Sequence, residues 1–300
     1  MTKILIIGLG SIGLKHHQIL KKINKKFKIK VLSKNKIKNI DYIEKKKILE
    51  FNPNYIIISN HTSRHIKYLN FINNHFKRVK ILVEKPLFHK PIKFKIKNYN
   101  KVFVGYNLRY HPVVDKLKKL IKKNKFYYSS LTCFSFLPKW RNNIHYSLSN
   151  SAQKKYGGGV LTELSHEIDL IDYLFNIKKI HSSFNSKISQ LKINTDDFLN
   201  LNTFCNKVKF CNLNVNFFDN LKERKIKIVG KDYSYEADIL NNLIKVHNNK
   251  NFITKKIKVK AINTYEKLHK SILNNKYRNI CDLKQGQKIL KIIFEIKQNG

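Results

Sequence analysis

The chain of 300 residues carries 61 lysines and arginines against 19 acids, a formal charge of +42, yet 42% of it is hydrophobic and 12% aromatic. That apolar content excludes a disordered, purely charge-driven polypeptide, and the length leaves room for two packed domains. Arginine occurs only at positions 64, 78, 109, 141, 224 and 278, while lysine is dispersed along the chain with asparagine and isoleucine, so the charge reads as compositional drift and not as a nucleic-acid footprint.

The first hundred residues alternate β-branched runs with helical patterns. KILIIG, KIKVLS, NYIIIS, KILVEK and KVFVGY are separated by stretches such as SIGLKHHQILKKI, which predicts βαβ units and a parallel sheet. The apolar start is too short and too punctuated by glycine for a membrane span, and it lacks a small-residue cleavage site, so a cytoplasmic protein without a membrane segment is expected. HPVVDKLKKLIKK predicts a helix from about 112 to 123, and the pattern then changes. FYYSSLTCFSFLP, FLNLNTFCNKVKFCNLNVNFF, RKIKIVGKDYSYEADIL and LIKVHN read as strands of a mostly antiparallel sheet, with a helix inserted over 157 to 175 and two helices in the tail. The reading is therefore α/β: domain 1–115 with a doubly wound parallel sheet, and domain 116–300, an α+β unit with an open sheet. Cys133, Cys205, Cys211 and Cys281 form no CxxC pair and are expected to be buried thiols, with no metal site.

Four stretches carry chemistry. ILIIGLGSIGLKH puts Gly8, Gly10 and Gly13 after a strand and at the opening of a helix. Glycine permits a tight turn, close approach of a pyrophosphate and close helix–strand packing, and the amides around Ser11, Ile12 and Gly13 are expected to face the anion, with a methyltransferase or a plain βα turn as the alternatives. Ser33 and Lys34 stand where an NAD enzyme often carries an acid for the ribose, which leans the cofactor from NAD toward NADP. In RVKILVEKPLF, Glu84, Lys85 and Pro86 lie at the carboxyl end of a strand, the edge at which open α/β sheets bind ligands, and the proline can fix a cis bond that aims Lys85. Asn60, His61, Thr62 and His65 in ISNHTSRH end another strand at that edge and are expected to border the cofactor, with helix capping by Thr62 the ordinary alternative.

In GGGVLTELSHEIDLIDYLF, Leu161, Leu164, Ile168, Ile171 and Phe175 make a core stripe at helical spacing, and Glu163, His166 and Asp169 make a polar stripe beside it. A solvated face is the ordinary explanation for such a stripe. Against it, no lysine occurs from Tyr156 to Ile177 in this lysine-rich chain, whereas four acids do. The glycines are expected to let a ligand or the nicotinamide lie against bare backbone.

GLGSIG, VEKP, GYNLRYHP and GGGVLTELSHEID, in this order and at these separations, resemble the Gfo/Idh/MocA oxidoreductases over essentially the whole chain, and most closely a branch linked to bacterial surface-sugar biosynthesis. The resemblance implies a Rossmann domain, a second domain whose open sheet forms a homo-oligomer, and hydride transfer between NAD(P) and a sugar, polyol or nucleotide sugar. It implies that Lys85, His166 and Glu163 line the substrate site, although many members carry aspartate where this chain has Thr162. The substrate hydroxyl is expected to lose its proton to Lys85 or His166 as the hydride leaves. The resemblance also places Asn107 and Arg109 near the nicotinamide ribose, with helix capping and a helix-starting His-Pro as the ordinary alternatives. Trp140, Arg141, Tyr146, Tyr156 and Asp169 are candidate substrate contacts. The competing functions are a dinucleotide-binding module without catalysis, and a charge-driven nucleic-acid binder, for which arginine or aromatic clusters are missing.

Overall fold

A computed structural model describes residues 1–122 and 125–299. The strands are β1 (Lys3–Ile7), β2 (Lys28–Leu32), β3 (Tyr55–Ile58), β4 (Lys80–Val83), β5 (Lys101–Val104), β6 (Phe126–Phe136), β7 (Ile177–Ser186), β8 (Phe198–Cys205), β9 (Val208–Asn216), β10 (Phe218–Gly230), β11 (Tyr233–Asp238), β12 (Leu243–Asn248), β13 (Ile253–Lys258) and β14 (Cys281–Asp282). The helices are α1 (Ser11–Ile23), α2 (Ile48–Phe51), α3 (His65–His75), α4 (Pro112–Ile121), α5 (Val160–Glu163), α6 (Ser165–Phe175), α7 (Thr264–Leu273) and α8 (Leu283–Asn299). The helix expected to reach residue 123 is described to Ile121; Lys123 lies outside the described residues.

The chain divides into two compact units, residues 1–107 with 263–290, and residues 108–262 with 291–300. A single cut near residue 115 does not produce this division, because the segment from Asn263 to Leu290 returns to the first unit. It does so through β14, which pairs antiparallel with β5, and through α7, which packs on α1.

In the first unit the sheet runs β14-β5-β4-β3-β1-β2, and β1 to β5 are all parallel. Ile4, Leu5, Ile6, Ile56, Ile57 and Ile58 are wholly buried, as expected of strands covered on both faces and therefore written as continuous apolar runs. From β1 the chain goes to β2 on one side and to β3 on the other. The strand order thus reverses between β1 and β3, the position where such sheets open a crevice at their carboxyl ends.

The second unit is an eight-stranded sheet, β13-β12-β11-β10-β6-β9-β8-β7, antiparallel except for the β6–β9 pair. Alternation sets its two faces: Leu199, Leu201, Thr203 and Cys205 of β8 are buried while Phe198, Asn200, Asn202 and Phe204 between them are not. Val113, Val114 and Leu117 of α4 and Ile168, Ile171 and Phe175 of α6 are buried in the same unit. All four cysteines are buried thiols, and burial pushes the Cys133 thiol up to about 12. Among the described residues no helix is long and apolar enough to cross a membrane.

Candidate functional site

The glycine turn sits at the β1/β3 reversal, and its three glycines differ in what surrounds them. Gly8 has φ +98°, and a Cβ there would lie 2.6 Å from the Asn60 main-chain nitrogen; a Cβ on Gly13 would lie 2.1 Å from the Gly8 carbonyl oxygen. Both glycines are required by the protein's own packing. A Cβ on Gly10 would meet nothing within 4 Å, so the packing alone does not require glycine there. Gly10 is the N-cap of α1, no side chain caps that end, and the first turn carries no acid. A helix start leaves main-chain N–H groups without intrahelical partners, the arrangement that receives an anion, and the space beside Gly10 is open. Beside them the side-chain oxygen of Asn60 is buried with no hydrogen-bond donor. Such an acceptor is costly until a ligand or other donor reaches it. The donor set and the space fit a dinucleotide.

Around this turn the structure separates inward residues from outward ones. Ser33 is half-buried and Lys34 exposed just past β2, and His61 is exposed and Thr62 half-buried past β3. Thr62 caps neither the turn that it begins nor α3. His65 is turned inward: its ring nitrogens lie 3.1 Å from the Leu87 carbonyl and 3.0 Å from the Asn60 carbonyl, and burial holds its pKa below the ordinary value. It braces the loops after β3 and β4 and does not present its ring to a ligand. Asn107 is also spent internally, donating to Thr264 Oγ1 at 2.6 Å. Glu84 is buried too, with Oε1 3.0 Å from His16 Nε2 and Oε2 accepting the Lys85 main-chain N–H at 3.3 Å. Gly105, which the sequence reading passed over, makes room for it: a Cβ there would lie 2.6 Å from Glu84 Oε1. Lys85 is half-buried, and its bond to Pro86 is cis, as anticipated.

In the second unit the expected helix is broken. α5 ends at Glu163 and α6 begins at Ser165, with Leu164 between them at φ −96° and ψ 24°. The apolar stripe survives the break, for Leu161, Leu164, Ile168, Ile171 and Phe175 are all buried. The polar stripe does not survive as one surface. Asp169, expected to touch substrate, is fully buried and faces Arg109, whose Nε lies 2.9 Å from Oδ2 and Nη2 2.6 Å from Oδ1. Burial raises the Asp169 pKa against the pull of Arg109. The two residues read from sequence as ligand contacts thus form an interior ion pair. Glu163 and His166 remain half-buried, and Glu163 accepts from Ser151 Oγ at 2.9 Å. Thr162 donates to the carbonyls of Gly157 and Gly159 at 2.8 and 3.1 Å, so its hydroxyl secures the turn.

The glycines also divide. A Cβ on Gly158 would lie 2.4 Å from the carbonyls of Asn150 and Ser151, and one on Gly159, φ +111°, 2.2 Å from Asp196 Oδ1. Internal packing therefore explains two of the three, and only Gly157, in the left-handed region at φ +78°, has open space. Asp196 also accepts the Leu161 N–H at 2.8 Å, which fastens the start of α5.

Trp140, Arg141 and Tyr146 lie side by side in the second unit. With Leu137, Ser149 and Ser151 they line one shallow recess of about 190 Å³ including its open mouth, and Ser151 connects it to Glu163. Tyr156 is 48% exposed and lies outside this lining. Sequence reasoning missed the buried Glu167, whose carboxylate is 2.8 Å from Arg224 Nε, whereas His111 takes the ordinary helix-starting role, accepting from the Val113 N–H at the start of α4. Burial and then Arg224 bring the His111 pKa down to about 4. The absence of lysine around Glu167 was the available signal.

Neither a protein-family model nor a curated protein matches the sequence. Solved structures do match in fold. A UDP-N-acetylglucosamine 3-dehydrogenase, GnnA, from Acidithiobacillus ferrooxidans has a TM-score of 0.79 at 15% identity, covering 99% of this chain and 97% of its own. The WlbA dehydrogenase from Bordetella pertussis, in complex with NADH and UDP-GlcNAcA, has a TM-score of 0.76 at 14% identity, covering 99% and 96%. An oxidoreductase from Agrobacterium radiobacter in complex with NAD+, L-tartaric acid and magnesium has a TM-score of 0.77 at 12% identity, covering 100% and 97%. At these identities the likeness establishes the fold. The chain has the Rossmann-plus-α+β architecture that its resemblance to the Gfo/Idh/MocA oxidoreductases implies.

Proposed function

We propose that this fold serves an NAD(P)-dependent oxidoreductase, moving a hydride between a nicotinamide cofactor and a carbinol or carbonyl carbon of a sugar, polyol or nucleotide sugar. The observation that carries the reading is the contrast within the glycine turn: Gly8 and Gly13 abut the protein's own atoms, while Gly10 opens onto an uncapped helix start. When bound, the cofactor supplies the hydride acceptor or donor at C4 of its nicotinamide ring. The amides of Ser11, Ile12 and Gly13 hold its phosphates. Ser33 and Lys34, the two residues directly after β2, offer a hydroxyl and a cation to a ribose 2′-phosphate and favour NADP.

Lys85 and His166 are the groups assigned to proton exchange with the substrate oxygen, and Glu163 orients substrate beside them. In the oxidative direction the hydroxyl proton passes to one of these bases while the carbon-bound hydrogen leaves with its electron pair, which yields the carbonyl. Trp140, Arg141 and Tyr146 offer an aromatic face, a cation and a phenol to a sugar carrying an anionic group. The GnnA neighbour, a UDP-N-acetylglucosamine 3-dehydrogenase, and the WlbA neighbour, in complex with UDP-GlcNAcA, support that substrate class.

The reading is tested by titrating the protein with NADH and NADPH, followed by nicotinamide fluorescence, and then by assaying nucleotide sugars with wild type, Lys85→Ala and His166→Ala. NADPH is expected to bind more tightly, and each variant to keep nucleotide affinity while turnover falls ~100-fold or more. Failure to bind either nucleotide overturns the reading; tight binding with no turnover of any sugar would leave a non-catalytic dinucleotide module.

A further inference from the structure

Behind the glycine turn, four buried polar side chains stand in a row within the first unit. His16, on α1 three residues past Gly13, and His269 on α7 are wholly buried; Tyr55 on β3 is 1% exposed and Glu84, just past β4, 6%. Tyr55 OH lies 2.9 Å from His269 Nδ1, His269 Nε2 lies 2.9 Å from His16 Nδ1, and His16 Nε2 lies 3.0 Å from Glu84 Oε1. The second Glu84 oxygen accepts the Lys85 main-chain N–H. Tyr265 packs edge-on against His16 at 5.4 Å, with its phenol pushed far above the usual range by burial and then by the Glu84 charge. Nothing in the glycine turn or in the fold of a dinucleotide domain requires two interior imidazoles here, and polar groups at this depth are costly unless every one is matched.

The chemistry of the groups restricts where the protons lie. Burial and then His16 hold the His269 pKa well below its ordinary value, so His269 is neutral and has one donor and one acceptor nitrogen. An ionised Glu84 only accepts, so His16 Nε2 carries a proton toward it. Two arrangements then close the row. Either Tyr55 donates to His269 and His269 donates to His16, or, with one more proton on His16, both of these bonds reverse. Each arrangement keeps Glu84 anionic, and each needs the Tyr55 oxygen.

We propose that Tyr55, His269 and His16 are positioning residues for Lys85: they hold the Glu84 carboxylate in the one orientation in which its second oxygen anchors the Lys85 main chain, and they tie that strand end to α1, the helix that carries the nucleotide-binding turn. The assignment rests on the proposed role of Lys85 in proton exchange. Its consequence is that groups two to four hydrogen bonds away from the lysine govern turnover without touching substrate or cofactor.

The test uses the full chain labelled with 15N and three variants, Tyr55→Phe, His269→Leu and His269→Gln, the last retaining one donor and one acceptor. Tyr55→Phe and His269→Leu are expected to shift the Lys85 amide resonance and to speed its hydrogen exchange ~10-fold or more. Misplacement of Lys85 should lower kcat ~10- to 100-fold. Nucleotide Kd and sugar KM should stay within ~2-fold, and His269→Gln should recover most of both effects. A purely structural row would lower the melting temperature and leave the Lys85 amide and kcat of the folded protein unchanged, which overturns the proposal. If His269→Leu does not fold, Tyr55→Phe, which deletes a single oxygen, decides the matter. Should the wild type turn over no sugar, the functional reading fails, while the response of the Lys85 amide still decides whether the row positions it.

Discussion

Replacing Gly10 by alanine separates what the polypeptide needs from what a ligand needs. The added methyl meets nothing within 4 Å, and Gly10 has φ −76° and ψ −173°, a backbone that alanine adopts freely. Alanine is a poorer N-cap than glycine, so the expected loss of stability is no more than about 1 kcal/mol, a fall of under about 4 °C in Tm. Gly13→Ala is the control. Its methyl would lie 2.1 Å from the Gly8 carbonyl oxygen, a main-chain atom that cannot swing aside, and a loss of about 3 kcal/mol is expected. Nucleotide binding should order the two variants differently. Hydrogen bonds to a charged group contribute about 1.5–3 kcal/mol each, so a Gly10 methyl that displaces a phosphate from two amides should weaken NADPH by ~100-fold or more. Thermal melts and nicotinamide-fluorescence titrations on the same preparations give both quantities. Wild-type NADPH affinity in Gly10→Ala would refute the argument that the open space at Gly10 is where the phosphates lie.

Arg109→Leu should destabilise the protein by about 3–5 kcal/mol, because it leaves Asp169 buried and unpaired; a urea midpoint equal to that of wild type would mean the ion pair is not interior. Gly159→Ala should cost more than Gly157→Ala, since both have positive φ but only Gly159 faces Asp196 Oδ1 at 2.2 Å, and comparative melts check the order. Stability should also fall as pH drops below 6.5. His17, His65, His111 and His269 all have folded pKa values below that of the unfolded chain, with burial the leading cause, so their contribution is complete above pH 6.5 and is lost on acidification, down to about 4 for His111. Asp169 and Asp196, raised by burial, act in the opposite sense at the acidic end, where protonation relieves them. A melting temperature that is flat from pH 7 to pH 5 would contradict the assignment of these histidines as neutral.

The sequence by itself determined what depends on near neighbours along the chain. The apolar runs around Ile6 and Ile57 marked strands covered on both faces, the Gly8–Gly13 spacing marked a tight strand-to-helix turn, and the spacing of Leu161, Ile168 and Phe175 marked a buried helix face. In each case the physics is local, a dihedral preference or a side-chain period. Only the tertiary structure decided which polar residues are spent on the protein itself. Asp169 and Arg109 are 60 residues apart, His16 and His269 253 apart, and no periodicity relates them. A buried charge takes whatever partner the fold brings within about 3 Å, and the fold is set by the packing of apolar faces, in which polar residues have little part. For that reason the stripe of Glu163, His166 and Asp169 looked continuous in sequence but loses Asp169 to the interior beside Arg109, and Glu84 turns out to face His16.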